Sequence, residues 1–242
     1  MNLSRKERLE NNPNLNKKSI QVAQKILSKN DMKANELRAQ YADLGVYVIN
    51  LMSSPGSGKT TLLEALSEFK DFAFCVLEGD LQTNRDAQRL EAKGVSAYQI
   101  TTGEACHLEA SMIESALFEL QKQCDMQQMD YLFIENVGNL VCPASYDVGA
   151  SLNIVLLSTP EGDDKVLKYP TMFMCADAVI ISKADMIEYF DFNLERVQND
   201  LARLKANVPI FLTNKKECES IAKVRDFIMQ KKAQNYHSLH QF

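Results

Sequence analysis

The run VYVINLM at 46–52 leads directly into SSPGSGKTT at 53–61, and a helical pattern opens at residue 59. A strand that ends in a glycine-bearing turn and reopens as a helix aims its first unbonded backbone N–H groups at one spot, and that spot attracts phosphate. Gly56 and Gly58 let the backbone close around phosphate oxygens. Ser57, Gly58, Lys59, Thr60 and Thr61 are expected to line them, with Lys59 reaching the β- and γ-phosphates and Thr60 placing its hydroxyl on Mg²⁺. Ser53 stands where the pattern G-x-x-x-x-G-K-[ST] has its first glycine, a departure that a small side chain can fill.

Such a turn belongs to an α/β framework, and the rest of the chain has the matching rhythm. Residues 16–44 read as a long amphipathic helix, with Ile20, Ala23, Leu27, Ala34, Leu37, Tyr41 and Leu44 at steps of three, four and seven. Asn30 interrupts its apolar stripe, and Gly45 ends it. Short apolar runs rich in β-branched and aromatic residues then follow at 46–52, 72–79, 95–100, 130–136, 153–158, 177–182 and 208–213. Helical patterns fill gaps at 59–69, 82–93, 104–122, 193–205 and 217–232. Alternation of this kind predicts a three-layer phosphate-loop NTPase fold, a mainly parallel sheet of seven strands with helices on both faces. The expected division is an N-terminal helical extension (1–44), a phosphate-loop NTPase domain (45–232) and a C-terminal tail (233–242).

Composition narrows the setting. The net charge of −5 argues against a nucleic-acid or anionic-membrane surface. The opening MNLSRKERLENN carries both charge signs and no apolar run, unlike a secretory signal. No segment approaches the roughly 20 apolar residues of a membrane helix. The six cysteines are scattered without disulfide-framework spacing, which fits a reducing cytoplasm.

Strand 177–182 ends in SKAD, similar to the N-K-x-D guanine-recognition sequence with Ser182 for asparagine. Asp185 would accept the ring N–H and exocyclic amine of guanine, whereas adenine would leave that carboxylate unpaired. The Lys183 stem would lie against the purine face. Two acidic strand ends, Asp80 in LEGD and Glu135 in the E-x-x-G turn of ENVG, are candidates for magnesium coordination and for orienting the attacking water, with Asp80 favoured for the metal. Asn139 stands after Gly138, where faster GTPases carry a water-orienting glutamine, so slow turnover is expected.

Of three histidines, His107 directly follows Cys106 in TTGEACHLEA. Thr101 and Glu104 have capping-box spacing, which predicts a helix start there and a macrodipole that favours the Cys106 thiolate. Thiolate with imidazole suits Ni²⁺ or Zn²⁺. Cys142, just past the E-x-x-G turn, is the third candidate ligand, on a segment that γ-phosphate commonly rearranges. Cys75 and Cys175 read as apolar filler, Cys124 and Cys218 have no visible partner, and His237 and His240 lie in the tail.

Together, GDLQTNRDA (79–87), TTGEACHLEA (101–110) and ENVGNLVCPAS (135–145) resemble the HypB family of hydrogenase nickel-incorporation GTPases over roughly residues 40–230. The resemblance implies a GTP-dependent homodimer that helps deliver nickel to the large subunit of [NiFe]-hydrogenase, together with the maturation factor HypA. It implies that Cys106, His107 and Cys142 bind nickel or zinc at the subunit interface, that the Asp80 region switches, and that a lysine from the partner subunit reaches the nucleotide. EGDDKVLKYP (161–170) matches that region and makes Lys168, ahead of Lys165, the candidate. Neither the N-terminal cysteine motif nor the histidine-rich stretch of some members precedes Cys75, which argues against nickel storage. The rivals are a urease-type nickel-insertion GTPase, whose usual C-P-H motif is here Cys142-Pro143-Ala144, and a phosphate-loop small-molecule kinase, against which SKAD argues.

Overall fold

The computed structural model describes residues 17–80, 85–103 and 105–239, with side chains described between residues 24 and 236. His237 and His240, residues 81–84 of the GDLQTNRDA stretch, and Glu104 lie outside those described residues or side chains. Helix α1 (Lys17–Leu44) precedes β1 (Tyr47–Ser53), α2 (Lys59–Leu66), β2 (Phe74–Asp80), α3 (Arg85–Glu91), β3 (Ala97–Thr101) and α4 (Ala110–Leu120). There follow β4 (Tyr131–Glu135), β5 (Leu152–Ser158), α5 (Lys165–Lys168), α6 (Pro170–Cys175), β6 (Ala178–Ser182), α7 (Leu194–Leu204), β7 (Ile210–Thr213) and α8 (Cys218–Leu239).

Each strand falls on one of the apolar runs, and all pair in parallel in the order β3-β2-β4-β1-β5-β6-β7. Because side chains alternate along a strand, each strand feeds two cores. Ile49, Leu51, Val76, Phe133, Ile154 and Ile180 face α2 and α8, whose Leu63, Leu66, Val224 and Ile228 are buried with them. On the opposite face, Val48, Leu77, Leu132 and Ile134 meet Leu37 and Tyr41 of α1 and Ile113 and Leu117 of α4. Further along that face, Val155, Leu157, Val179 and Ile181 meet Phe173 of α6 and Val197 of α7. β1 sits between β4 and β5, so the chain reverses its direction of travel across the sheet there, and a crevice opens beyond the strand ends.

The N-terminal helix is built into the core rather than laid on it: Ala34 and Leu37 are fully buried. Its polar interruption has a structural purpose. Asn30 donates to the Asp147 carbonyl at 2.8 Å and accepts from the Ala110 backbone N–H at 2.9 Å. This corrects the expected helix start. The α4 helix begins at Ala110, not near Thr101, because the first free N–H group is capped by Asn30 from another helix. Cys106 and His107 therefore lie on the loop between β3 and α4, and the macrodipole argument for a Cys106 thiolate falls away.

Candidate nucleotide site and thiol–imidazole cluster

The phosphate loop emerges from the centre of the sheet. Gly58, immediately before α2, has φ 94° and ψ 26°, a left-handed conformation that turns the chain into the helix. Lys59 is 8 % exposed, and its ammonium donates to Ser53 Oγ at 3.1 Å. Serine in place of the first glycine thus fits, with its hydroxyl donating in turn to the Ser54 carbonyl at 2.7 Å. Thr60 Oγ1 donates to Glu135 Oε1 at 3.0 Å, so the loop hydroxyl expected on magnesium already meets a carboxylate from β4.

Beside the loop lies a cleft of about 460 Å³, lined by Ser57, Gly58, Thr61, Ser182, Lys183 and Asp185 among others. Ser182, which replaces the usual asparagine, donates to the Ser57 carbonyl at 2.6 Å and so joins β6 to the phosphate loop. Lys183 adopts φ 56° and reaches the Gly56 carbonyl at 3.0 Å. Thr213, Asn214, Lys215 and Lys216 close the far wall. Sequence reasoning did not reach these four; the polar TNKK after the last apolar run was their only mark. Lys165 and Lys168 lie on α5 and are not among the residues lining this chain's cleft.

Glu78 is a further residue that sequence reasoning missed. It sits inside β2 in register with Glu135 of β4, and both are 3 % exposed. Burial, and then the Glu135 charge, push the Glu78 carboxyl up to about 8. Burial raises Glu135 to about 7, against the pull of Lys59 and the Thr60 hydrogen bond. Asp86 of α3 joins them, with one carboxylate oxygen from each of the three within 4.8 Å of the others. These all-oxygen, acidic donors beside Thr60 suit a hard cation such as Mg²⁺. Asp80, favoured from the sequence, ends β2 and is not in this group.

The structure brings Cys106, His107 and Cys142 together, with their ligand atoms within 4.8 Å of one another and the two sulfurs 2.9 Å apart. His107 stacks on Tyr146, ring centroids 3.7 Å apart, and its Nε2 lies 3.6 Å from Glu109 Oε1. Burial lowers the imidazole's pKa, opposed by Glu109, which favours the neutral ring that a metal needs. Burial, then the contact with Cys106, hold the Cys142 thiol above its ordinary range. A soft metal would displace that proton on binding. By contrast, Cys75 and Cys124 are buried away from this cluster.

Nucleotide loop and cluster share backbone. Asn139 N–H donates to the Ser53 carbonyl at 2.7 Å, and its side chain donates to the Cys106 carbonyl at 3.3 Å. Asn139 Oδ1 accepts from Val141 N–H at 2.8 Å, one residue before Cys142. A Cβ on Gly138 would come within 2.8 Å of Pro55 backbone atoms, so the turn lies flat against the phosphate loop. Among the described residues, the buried side-chain polar atoms with no hydrogen-bond partner are Glu78 Oε2, Glu135 Oε2 and His107 Nε2, all in these two clusters.

Residues 47–212 match the family described as CobW/HypB/UreG, nucleotide-binding domain. Over the full length of both chains, the sequence is 86% identical to hydrogenase/urease maturation factor HypB of Helicobacter hepaticus and 62% identical to that of Helicobacter pylori. The fold superposes on HypB from Helicobacter pylori in complex with nickel at a TM-score of 0.85 and 64% identity, covering 88% of this chain and 100% of that one. For the HypB structure from Archaeoglobus fulgidus the TM-score is 0.73 at 32% identity, covering 83% and 99%. No helix among the described residues is long and apolar enough to cross a membrane.

Proposed function

The chain belongs to the HypB family of hydrogenase/urease maturation factors, and from that premise we propose that it is a slow, cytoplasmic GTP-hydrolysing metallochaperone that hands nickel to a maturing nickel enzyme. The observation that carries this reading is the hydrogen-bonded path from the Ser53 carbonyl through Asn139 to the Cys106 carbonyl, which joins a phosphate loop to a soft-metal cluster.

In this reading the backbone N–H groups of the phosphate loop and Lys59 hold the β- and γ-phosphates, and Asp185 selects guanine. Thr60 and the neighbouring carboxylates would hold magnesium, which when bound would supply positive charge against the phosphate oxygens. Glu135 and Asp80 are the groups available to orient the attacking water. Asn139 is turned toward Cys106, which leaves the water without the amide that faster GTPases supply and agrees with slow turnover. Lys168, on the short helix after β5, would act on the nucleotide of a partner copy in a homodimer.

Nickel, or zinc in its place, is the cargo of Cys106, His107 and Cys142. Three donors per chain leave room for ligands from a second copy across a two-fold axis. The recipients are the [NiFe]-hydrogenase large subunit, with HypA as co-factor protein, and urease, since the relatives' name covers both. The proposed division is the 1–44 extension, the 45–232 GTPase domain and the 233–242 tail, with the extension's helix packed into the core and the last helix running past residue 232 to Leu239. Native mass analysis with Ni²⁺ and a non-hydrolysable GTP analogue tests the whole. A nickel-loaded dimer is expected from the unsubstituted chain and a metal-poor species from Cys142→Ala. Equal nickel content in the two would refute the ligand set, and GTP turnover equal to that of Lys59→Ala would refute the GTPase.

A further inference from the structure

We propose that Asn30 of α1 is a positioning residue for the soft-metal cluster, a clamp that joins its two ligand-bearing segments from outside and sets how tightly they hold the cation. The inference rests on the Cys106–His107–Cys142 reading above and adds to it a point of control on the N-terminal helix.

The donors reach the cluster on two separate stretches of chain. The loop between β3 and α4 carries Cys106 and His107, and the stretch before β5 carries Cys142 and Tyr146. Asn30 bonds just beyond the donors of each. Its Oδ1 accepts from the Ala110 N–H at 2.9 Å, three residues past His107. Its Nδ2 donates to the Asp147 carbonyl at 2.8 Å, next to the Tyr146 ring that stacks on His107. One side chain, 7 % exposed, thus bridges both stretches.

Capping α4 does not by itself call for this arrangement, because a local residue could do it. Glu109 holds the N-cap position yet makes no side-chain cap bond, and its carboxylate lies 3.6 Å from His107 Nε2 instead. The duty passes to a buried amide in an otherwise apolar stripe of α1. The rest of that helix backs the clamp. Tyr41 donates its hydroxyl to the Val148 carbonyl at 3.0 Å, and Arg38 pairs with Asp147 at 2.7 Å. A Cβ on Gly149 would come within 2.8 Å of the Ala34 carbonyl, so helix and segment lie backbone to backbone. On its inner side the Cys106 loop is held by the turn after β4, where Asn136 Oδ1 accepts from the Leu108 N–H at 3.3 Å and Asn139 donates to the Cys106 carbonyl. The cluster therefore has two anchors, one on the nucleotide side and one on α1. Releasing the α1 anchor lets the two stretches drift apart, and a metal that needs all three donors is then held less tightly.

The clamp is tested with Ni²⁺ on the nucleotide-free full chain, with affinity read by chelator competition and geometry by the thiolate-to-nickel charge-transfer absorption. Asn30→Ala is expected to weaken Ni²⁺ about tenfold or more and to shift that absorption. Asn30→Asp keeps the acceptor for Ala110 but sets a charge against the Asp147 carbonyl, so it frees the Cys142 side alone. It should give a smaller loss of the same sign, readable even if Asn30→Ala unfolds. Ile228→Ala, in the core on the opposite face of the sheet, lowers stability without touching either stretch and should leave both readings unchanged. In the parent, Ni²⁺ should slow hydrogen exchange at the Ala110 amide, since coupling runs in both directions. Parent-like affinity and absorption in both Asn30 variants, an equal loss in Ile228→Ala, or no slowing at Ala110 would overturn the clamp and leave the ligand set standing. Equal nickel content in the parent and Cys142→Ala would instead refute the ligand set, and the clamp with it.

Discussion

Replacing Asn139 by alanine removes the side-chain half of the path between the phosphate loop and the cluster while leaving the backbone bond to Ser53 in place. Two hydrogen bonds disappear, one of 2.8 Å from Val141 N–H and one, longer, of 3.3 Å to the Cys106 carbonyl. At a net worth of about 0.5–1.5 kcal/mol per bond, with the long one at the low end, the loss is about 1–2 kcal/mol. A coupling free energy of that size corresponds to a factor of roughly 5–30 between two binding constants. The expected result is that the ratio of Ni²⁺ affinities with GDP and with a non-hydrolysable GTP analogue, measured by chelator competition, collapses toward one in Asn139→Ala. Guanine nucleotide affinity without metal should change little, because no phosphate-loop contact is lost. If the parent shows a ratio well away from one and Asn139→Ala keeps it, the side chain carries no coupling and the reasoning from these bonds fails.

Gly138→Ala should weaken guanine nucleotide binding, since the new Cβ meets Pro55 backbone at 2.8 Å and overpacking of this kind costs about 1–3 kcal/mol; unchanged affinity in a fluorescent-nucleotide titration would refute the close approach. Asn30→Ala leaves the Ala110 N–H and the Asp147 carbonyl without their partner and should lower unfolding stability by about 2–4 kcal/mol, read as a urea midpoint shift at constant slope; a midpoint within error of the parent would show that both groups find other partners.

The sheet was legible because buried parallel strands are near-continuous apolar runs, and runs such as DAVIIS and NIVLLS admit no other reading. The phosphate loop and the Cys106–His107–Cys142 set were legible through local spacing and family resemblance. What stayed hidden depends on distance along the chain. The α4 helix start was misplaced because Thr101 and Glu104 mimic a cap, whereas the group that caps Ala110 lies 80 positions upstream. Glu78 was passed over for Asp80 because a carboxylate within a strand looks like an error until pairing sets it beside Glu135. The shared backbone at Asn139 could be guessed from its position after Gly138, but not that its amide donates to the Cys106 carbonyl.

Among the described residues, both buried orphan oxygens lie beside the phosphate loop, and the orphan nitrogen lies in the thiol–imidazole cluster. Folding alone therefore leaves the chain with unmet electrostatic demand, concentrated where cargo and cofactor would enter. Each arriving ion relieves part of that demand and tightens the fold as it does so. The empty protein should accordingly be the softest member of its own cycle, and the loaded one the stiffest, with the difference stored in three side chains that each keep one atom in reserve until it is filled.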